Sequence, residues 1–155
     1  MYRLGVISDS HGDTGSLRRA AIQLADCDAI AFLGDIEQDA AFLSSVFPKT
    51  IYAVRGNNDF STDLPGEVVI EREGHRLLVT HGHKWRVKFE LHSLMYRAME
   101  LSCDAALFGH THAPMSDLVN GVMLLNPGAC SGANATCAVI EFRENGLSPR
   151  IYRVR

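Results

Sequence analysis

Aspartate, histidine and asparagine recur in this chain in short groups, each beside a glycine. Asp9 and His11 lie in Ser8-Asp9-Ser10-His11-Gly12, Asp35 in Leu33-Gly34-Asp35, and Asn57 in Arg55-Gly56-Asn57-Asn58-Asp59. His81 and His83 lie in Thr80-His81-Gly82-His83, and His110 and His112 in Gly109-His110-Thr111-His112. Imidazole, carboxylate and amide oxygen together suit Mn, Fe, Ni or Zn, whereas Mg or Ca sites hold mostly oxygen ligands. Asp9, His11, Asp35, Asn57, His81, His110 and His112 are the candidate ligands, more than one ion needs from protein alone. Two divalent transition-metal ions, Mn foremost, sharing a bridging Asp35 would use them economically. A pair of ions about 3.5–4 Å apart is a standard device for displacement at phosphorus.

Any one of these groups alone is weak, because turns favour Asp and Gly for their own reasons. A lone histidine is usually a surface or satisfied residue. His75, in a hairpin turn, and His92, in a helix, read that way. The signal is the coincidence of the five groups, since each follows an apolar run of strand type.

Those runs give the elements that must do the positioning. Tyr2–Ser8, Ala29–Leu33 and Ile51–Val54 read as buried strands. Between them lie a helix through Leu17, Ala20, Ala21 and Leu24, with Ser16 as its cap, and a helix over Asp39–Phe47 stopped by Pro48. Strand–helix–strand order predicts parallel pairing with right-handed crossovers. Further on, Glu67–Ile70 and Arg76–Thr80 flank a turn at Glu73-Gly74. A helix over Leu91–Leu101 and a strand over Ala105–Phe108 follow. Asn120-Gly121 predicts a tight hairpin, because Asn-Gly accepts the positive φ of a type I′ turn. Thr136–Phe142 and Leu147–Val154 pair around Glu144-Asn145-Gly146. The expectation is a parallel half and a mostly antiparallel half forming two sheets face to face with helices outside, in one domain over residues 1–155.

Composition sets the class. Hydrophobic residues make up 46% of 155 residues, ordinary for a globular domain. A formal charge of −3 with no run of five like charges argues against an extended nucleic-acid-binding face. The apolar N-terminal stretch is too short for a signal peptide or a membrane span, so a soluble, cytoplasmic protein without membrane partners is expected. Cys27, Cys103, Cys130 and Cys137 contain no CxxC pair and read as reduced and semi-buried.

In order, the motifs DSH, GD, GNND, HGH and GHTH resemble the signature of the calcineurin-like metallophosphoesterases, and the compact length is similar to their small YfcE-like phosphodiesterase branch. The resemblance spans the whole chain. It implies an α/β fold, a four-layer α/β/β/α sandwich of two mixed sheets with flanking helices. It implies one ion on Asp9, His11, Asp35 and His112 and a second on Asp35, Asn57, His81 and His110, with a metal-bridging hydroxide attacking phosphorus in line. Many members carry histidine where this chain has Asn58. An amide donates a hydrogen bond but supplies no proton, so esters with good leaving groups are favoured. His83 is the alternative acid. Asn126-Pro127-Gly128 matches the branch's closing motif, while Ala129-Cys130-Ser131-Gly132 departs from it.

Arg55 and Lys84-Trp85-Arg86-Val87-Lys88 adjoin the ligand groups. Either they hold the substrate's phosphate, with Trp85 stacking on a base, or they are solvated, the commoner state of long charged side chains. The expected function is hydrolysis of a small phosphodiester or phosphomonoester. A catalytically weak binding scaffold on the same fold is the alternative, disfavoured because all seven ligand types are intact. A homo-oligomer is left open.

Overall fold

A computed structural model describes residues 1–155. Its first sheet has the order β10-β9-β1-β2-β3, built from β1 (Arg3–Ile7), β2 (Ala29–Phe32), β3 (Thr50–Ala53), β9 (Thr136–Arg143) and β10 (Gly146–Arg153). β1, β2 and β3 are parallel, whereas β9 runs antiparallel to β1 and to β10. The second sheet has the order β4-β5-β6-β8-β7, from β4 (Glu67–Arg72), β5 (His75–Thr80), β6 (Ala105–Leu107), β7 (Met115–Val119) and β8 (Val122–Asn126).

Alternation along the strands decides which face each sheet buries. Leu4 and Val6 of β1 and Ala29 and Ala31 of β2 point inward, against Leu77, Val79, Ala105, Leu107 and Leu125 of the second sheet. Ile7, Ile30 and Phe32 point outward, under α1 (Thr14–Gln23) and α2 (Glu37–Val46). On the far side, α3 (His92–Glu100) sets Leu94, Met95 and Ala98 on Leu78, Ala106 and Leu124. The result is the expected sandwich: helices, sheet, sheet, helix.

Three details differ from the sequence reading. The second sheet is not mostly antiparallel, because β5–β6 and β6–β8 are parallel pairs and only β4–β5 and β7–β8 are antiparallel. The crossover through α3 forces β5 and β6 to run the same way. The cap of α1 is Asp13 rather than Ser16, since the Asp13 carboxylate accepts from the Ser16 amide at 3.0 Å and from its hydroxyl at 2.7 Å. These bonds, with one from the Gly132 amide, lower the Asp13 pKa to about 2. α2 starts at Glu37, so Asp39 falls in its first turn, and it ends at Val46, before Pro48. All four cysteines are free and buried, and burial pushes the Cys130 and Cys137 thiols up to about 12. No helix is long and apolar enough to cross a membrane.

Candidate metal centre

Each ligand group follows the carboxyl end of a strand, the usual place for a site in sheets of this kind. β1 delivers Asp9 and His11, β2 delivers Asp35, β3 delivers Asn57, β5 delivers His81, and β6 delivers His110 and His112. Four of them take positive φ: Asp9 at 53°, His11 at 47°, His110 at 69° and His112 at 62°. Non-glycine residues seldom adopt this conformation, and it persists only where surroundings impose it. Glycine clears the space around them. A Cβ on Gly56 would lie 2.6 Å from Asp35 Cα, and one on Gly109 would lie 2.5 Å from Asp9 Oδ2.

Five of the seven predicted ligands form two overlapping triads, Asp9–His11–His112 and Asp9–Asp35–His81, whose donor atoms lie within 4.8 Å of one another. His11 Nε2 and His112 Nε2 are 3.1 Å apart, and Asp9 Oδ1 is 3.3 Å from His112 Nε2 and 3.9 Å from His81 Nε2. Asp35 faces both halves, with Oδ2 3.9 Å from His11 Nδ1 and Oδ1 4.0 Å from His81 Nε2. Asn57 Oδ1 is 3.0 Å from His81 Nε2, and the His110 ring lies 5.1 Å from the His81 ring. The structure thus brings all seven together. Asp9 is the residue common to both triads, and Asp35 is the one whose two oxygens face opposite sides.

The donor set fits a cation. Asp9 is buried, and its Oδ2 accepts from the Ser8 hydroxyl at 2.5 Å and the His110 amide at 2.9 Å. Its Oδ1 is equally buried but has no hydrogen-bond partner. Buried polar atoms are rarely left so, because an unmade bond costs about 1–3 kcal/mol. His81 repeats the pattern. Its Nδ1 donates to the Leu33 carbonyl at 2.7 Å, which in the neutral ring leaves Nε2 a bare lone pair facing Asn57 Oδ1 and two carboxylates. Such an outer hydrogen bond is how ligating imidazoles are oriented. Burial first, then His81 and Lys88, lower the His110 pKa to about 4, so that ring is unprotonated at neutral pH and free to ligate a cation.

Residues with no ligand role hold the loops in place, and the sequence reading missed most of them. Asp39 Oδ2 accepts from the Ser10 hydroxyl at 2.6 Å and the Gly12 amide at 2.8 Å, fixing the loop that carries Asp9 and His11. Ile36 cannot cap α2, so Asp59 does it from the loop after β3. One oxygen accepts from the Glu37 amide and the other from the Gly56 amide, both at 2.9 Å. Asn126 binds Thr111 Oγ1 at 2.9 Å and the Gly109 carbonyl at 3.2 Å. The Asn-Pro-Gly and Gly-Asn-Asn-Asp motifs hinted at two of these. Asp39 left no mark, because an acid in a helix's first turn is expected for the macrodipole alone.

The remaining candidates fall around the rim. Asn58 donates to Asp35 through both its backbone and side-chain amides. His83 sits on the short 3-10 turn His83–Trp85, with its ring 5.5 Å from His81 and 6.1 Å from His110. Burial, then His81, lower its pKa. Arg55 is exposed beside Gly66. His75, which opens β5 against the Arg143 carbonyl, and His92, exposed on α3, stand apart from the centre.

A family model for the calcineurin-like phosphoesterase superfamily domain matches residues 2–145. The chain belongs to that superfamily. Among relatives of this phosphoesterase-family chain, the probable metallophosphoesterase YsnB of Bacillus subtilis is 35% identical over 125 residues, 80% of this chain and 72% of that protein. Phosphodiesterase MJ0936 of Methanocaldococcus jannaschii is 27% identical over 150 residues, 84% of this chain and 85% of the relative. A conserved uncharacterized protein of Streptococcus pneumoniae, described as a predicted phosphoesterase, superposes with a TM-score of 0.84 at 28% identity, covering 98% of this chain and 89% of that one. Vps29 of Chaetomium thermophilum shares the fold over the full length of both chains, with a TM-score of 0.73 at 20% identity.

Proposed function

We propose that the chain is a binuclear, metal-dependent phosphoesterase acting on a small phosphodiester, with phosphomonoesters as the second substrate class. Asp9 Oδ1 carries the reading: a buried carboxylate oxygen without a proton donor, converging with His11, His81 and His112. Asp9, His11, Asp35 and His112 would hold one ion, and Asp35, Asn57, His81 and His110 the other, with Mn foremost and Ni, Fe or Zn also compatible. The ions would supply an activated water and offset the charge that develops at phosphorus.

The chain's own part is positional. Asp35, between the two halves, sets their spacing. Asn58 holds Asp35 through two hydrogen bonds, which commits its amide away from the leaving group in this arrangement. His83 is then the free rim donor able to hydrogen-bond a leaving oxygen. Without a strong acid on that side, aryl esters should be cleaved faster than alkyl esters. The four buried free thiols fit a reducing compartment such as the cytoplasm.

The test is metal analysis of the purified chain, then a panel of phosphodiesters and phosphomonoesters with Mn, Ni, Fe and Zn added back. Asp35→Asn should lower metal content and cut kcat about a hundred- to a thousandfold, the scale of losing one preorganised electrostatic element. Full turnover in that variant would remove the two-metal assignment. A second reading, a binding scaffold, is favoured by no residue of the centre.

A further inference from the structure

Beside the centre, behind the His83 ring, is a recess of about 280 Å³ lined by Arg55, Gly66, Glu67, Thr80, His83, Lys84 and Trp85. The metal reading does not use it. Its charges are uneven. Glu67 is the only acid in the lining, and its carboxylate is taken by Arg97 of α3. Arg55 and Lys84 have no carboxylate partner within ion-pair distance, so two unpaired cations remain. The Arg55 guanidinium runs along the recess wall, since a Cβ on Gly66 would lie 3.9 Å from Arg55 Nε. Lys84 Nζ stands 5.6 Å from the centroid of the Trp85 ring, which also carries Arg97 at 5.6 Å. That indole is engaged by cations, not held open for a nucleobase.

We propose that this recess is a subsite for a second, compact anionic group, phosphoryl or carboxylate, carried by the same substrate a few bonds from the ester under attack. The inference rests on the phosphoesterase reading and narrows its substrate class. Three observations carry it together. His83 lines the recess, and its ring centroid is 5.5 Å from that of His81 and 6.1 Å from that of His110, so the recess adjoins the metal ligands across one side chain. A guanidinium fork and an ammonium point charge are the pair that grips a tetrahedral or planar oxyanion. A recess of about 280 Å³ is small beside whole-ligand sites of about 300–1,000 Å³, which suits one compact group of a substrate. The other Arg and Lys of the neighbouring stretch, Arg86 and Lys88, do not line it.

Three substrates isolate the effect: ethyl, 2-carboxyethyl and 2-phosphonoethyl 4-nitrophenyl phosphate. All release the same phenol, so they differ only in the retained group. In the metal-loaded protein, kcat/KM for the better anionic diester should exceed that for the ethyl diester by about tenfold or more, the usual worth of a hydrogen bond to a charged group. The carboxylate and phosphonate arms say which anion the recess prefers. Arg55→Gln and Lys84→Gln should each pull that ratio towards one, mainly through KM. Lys49→Gln, whose ammonium caps the Ala25 and Cys27 carbonyls elsewhere, should leave it intact. A ratio near one in the unaltered chain, or one indifferent to both variants, overturns the subsite while leaving the hydrolase reading in place.

A second readout does not need turnover. Trp85 is the only tryptophan, so its fluorescence reports on the recess directly. Sulfate, titrated at constant ionic strength into the metal-loaded chain, should give a saturable change whose Kd rises at least about fivefold in each Gln variant. A response of that kind with neither diester nor monoester hydrolysis sinks the phosphoesterase and keeps the anion site. No saturable response overturns the subsite.

Discussion

At the scale of single residues, the site is recognisable by what it leaves unsatisfied. The two oxygens of Asp9 are treated differently: Oδ2 takes two hydrogen bonds and Oδ1 takes none. A fold built for stability alone would not bury an acceptor that way. This gives a prediction whose sign depends on metal. In Asp9→Asn the amide oxygen can still accept from Ser8 and His110, and the amide nitrogen takes the place of the orphaned oxygen, 3.3 Å from His112 Nε2. Without metal, the variant should therefore be as stable as the parent or more so, by up to about 1–3 kcal/mol. With metal, it should lose the stabilisation that ions give the parent. Thermal melts in chelator and in Mn distinguish the cases. Equal destabilisation under both conditions would mean that Asp9 is a structural residue.

At the scale of elements, the strands were legible because burial writes a short code. Ala29–Leu33 and Ala105–Phe108 are brief apolar runs ended by glycine, and the polar residues after them are the ligands. What escaped depends on contacts between segments. The direction of β6 beside β5 was present in the strand–helix–strand order of 76–108, but the hairpin at Glu73-Gly74 drew the whole region towards an antiparallel reading. Asp13 and Ser16 are both good caps, and only the backbone path decides between them. Asp39 is the instructive miss, because a helix here serves as a bracket for a loop 27 residues earlier. Asp39→Ala strands the buried Ser10 hydroxyl, while the exposed Gly12 amide finds water. The expected cost is about 1–3 kcal/mol of stability, and metal affinity should fall about 10–100-fold as His11 loses its support. Asp39→Asn keeps an oxygen able to accept both bonds and should lose far less of either. Urea melts and metal titrations of the two variants give the comparison. If Asn is as damaging as Ala, charge rather than loop geometry is what Asp39 contributes.

At the scale of the whole molecule, the centre sits on the seam between the two sheets. Asp9, His11, Asp35 and Asn57 come from strands of the first sheet, and His81, His110 and His112 from strands of the second. Direct polar links already cross there: the His81 ring to the Leu33 carbonyl, and the His110 amide to Asp9. Ions held by both sets of residues would bind only when the sheets are in register, and not to the unfolded chain. Metal binding is then folding free energy. At a free metal concentration a hundred times Kd, one ion adds about 2.7 kcal/mol. For a domain of this size that is a rise in Tm of roughly 5–10 °C. Chelation should reverse the shift, and Asp9→Asn should abolish most of it. Because the ions add no apolar burial, the urea m-value should stay the same with and without them, so that the midpoint alone moves. A Tm indifferent to Mn, Ni, Fe and Zn would mean that the seam is closed without them. The orphaned oxygen of Asp9 would then be a cost the fold carries with no cation to relieve it.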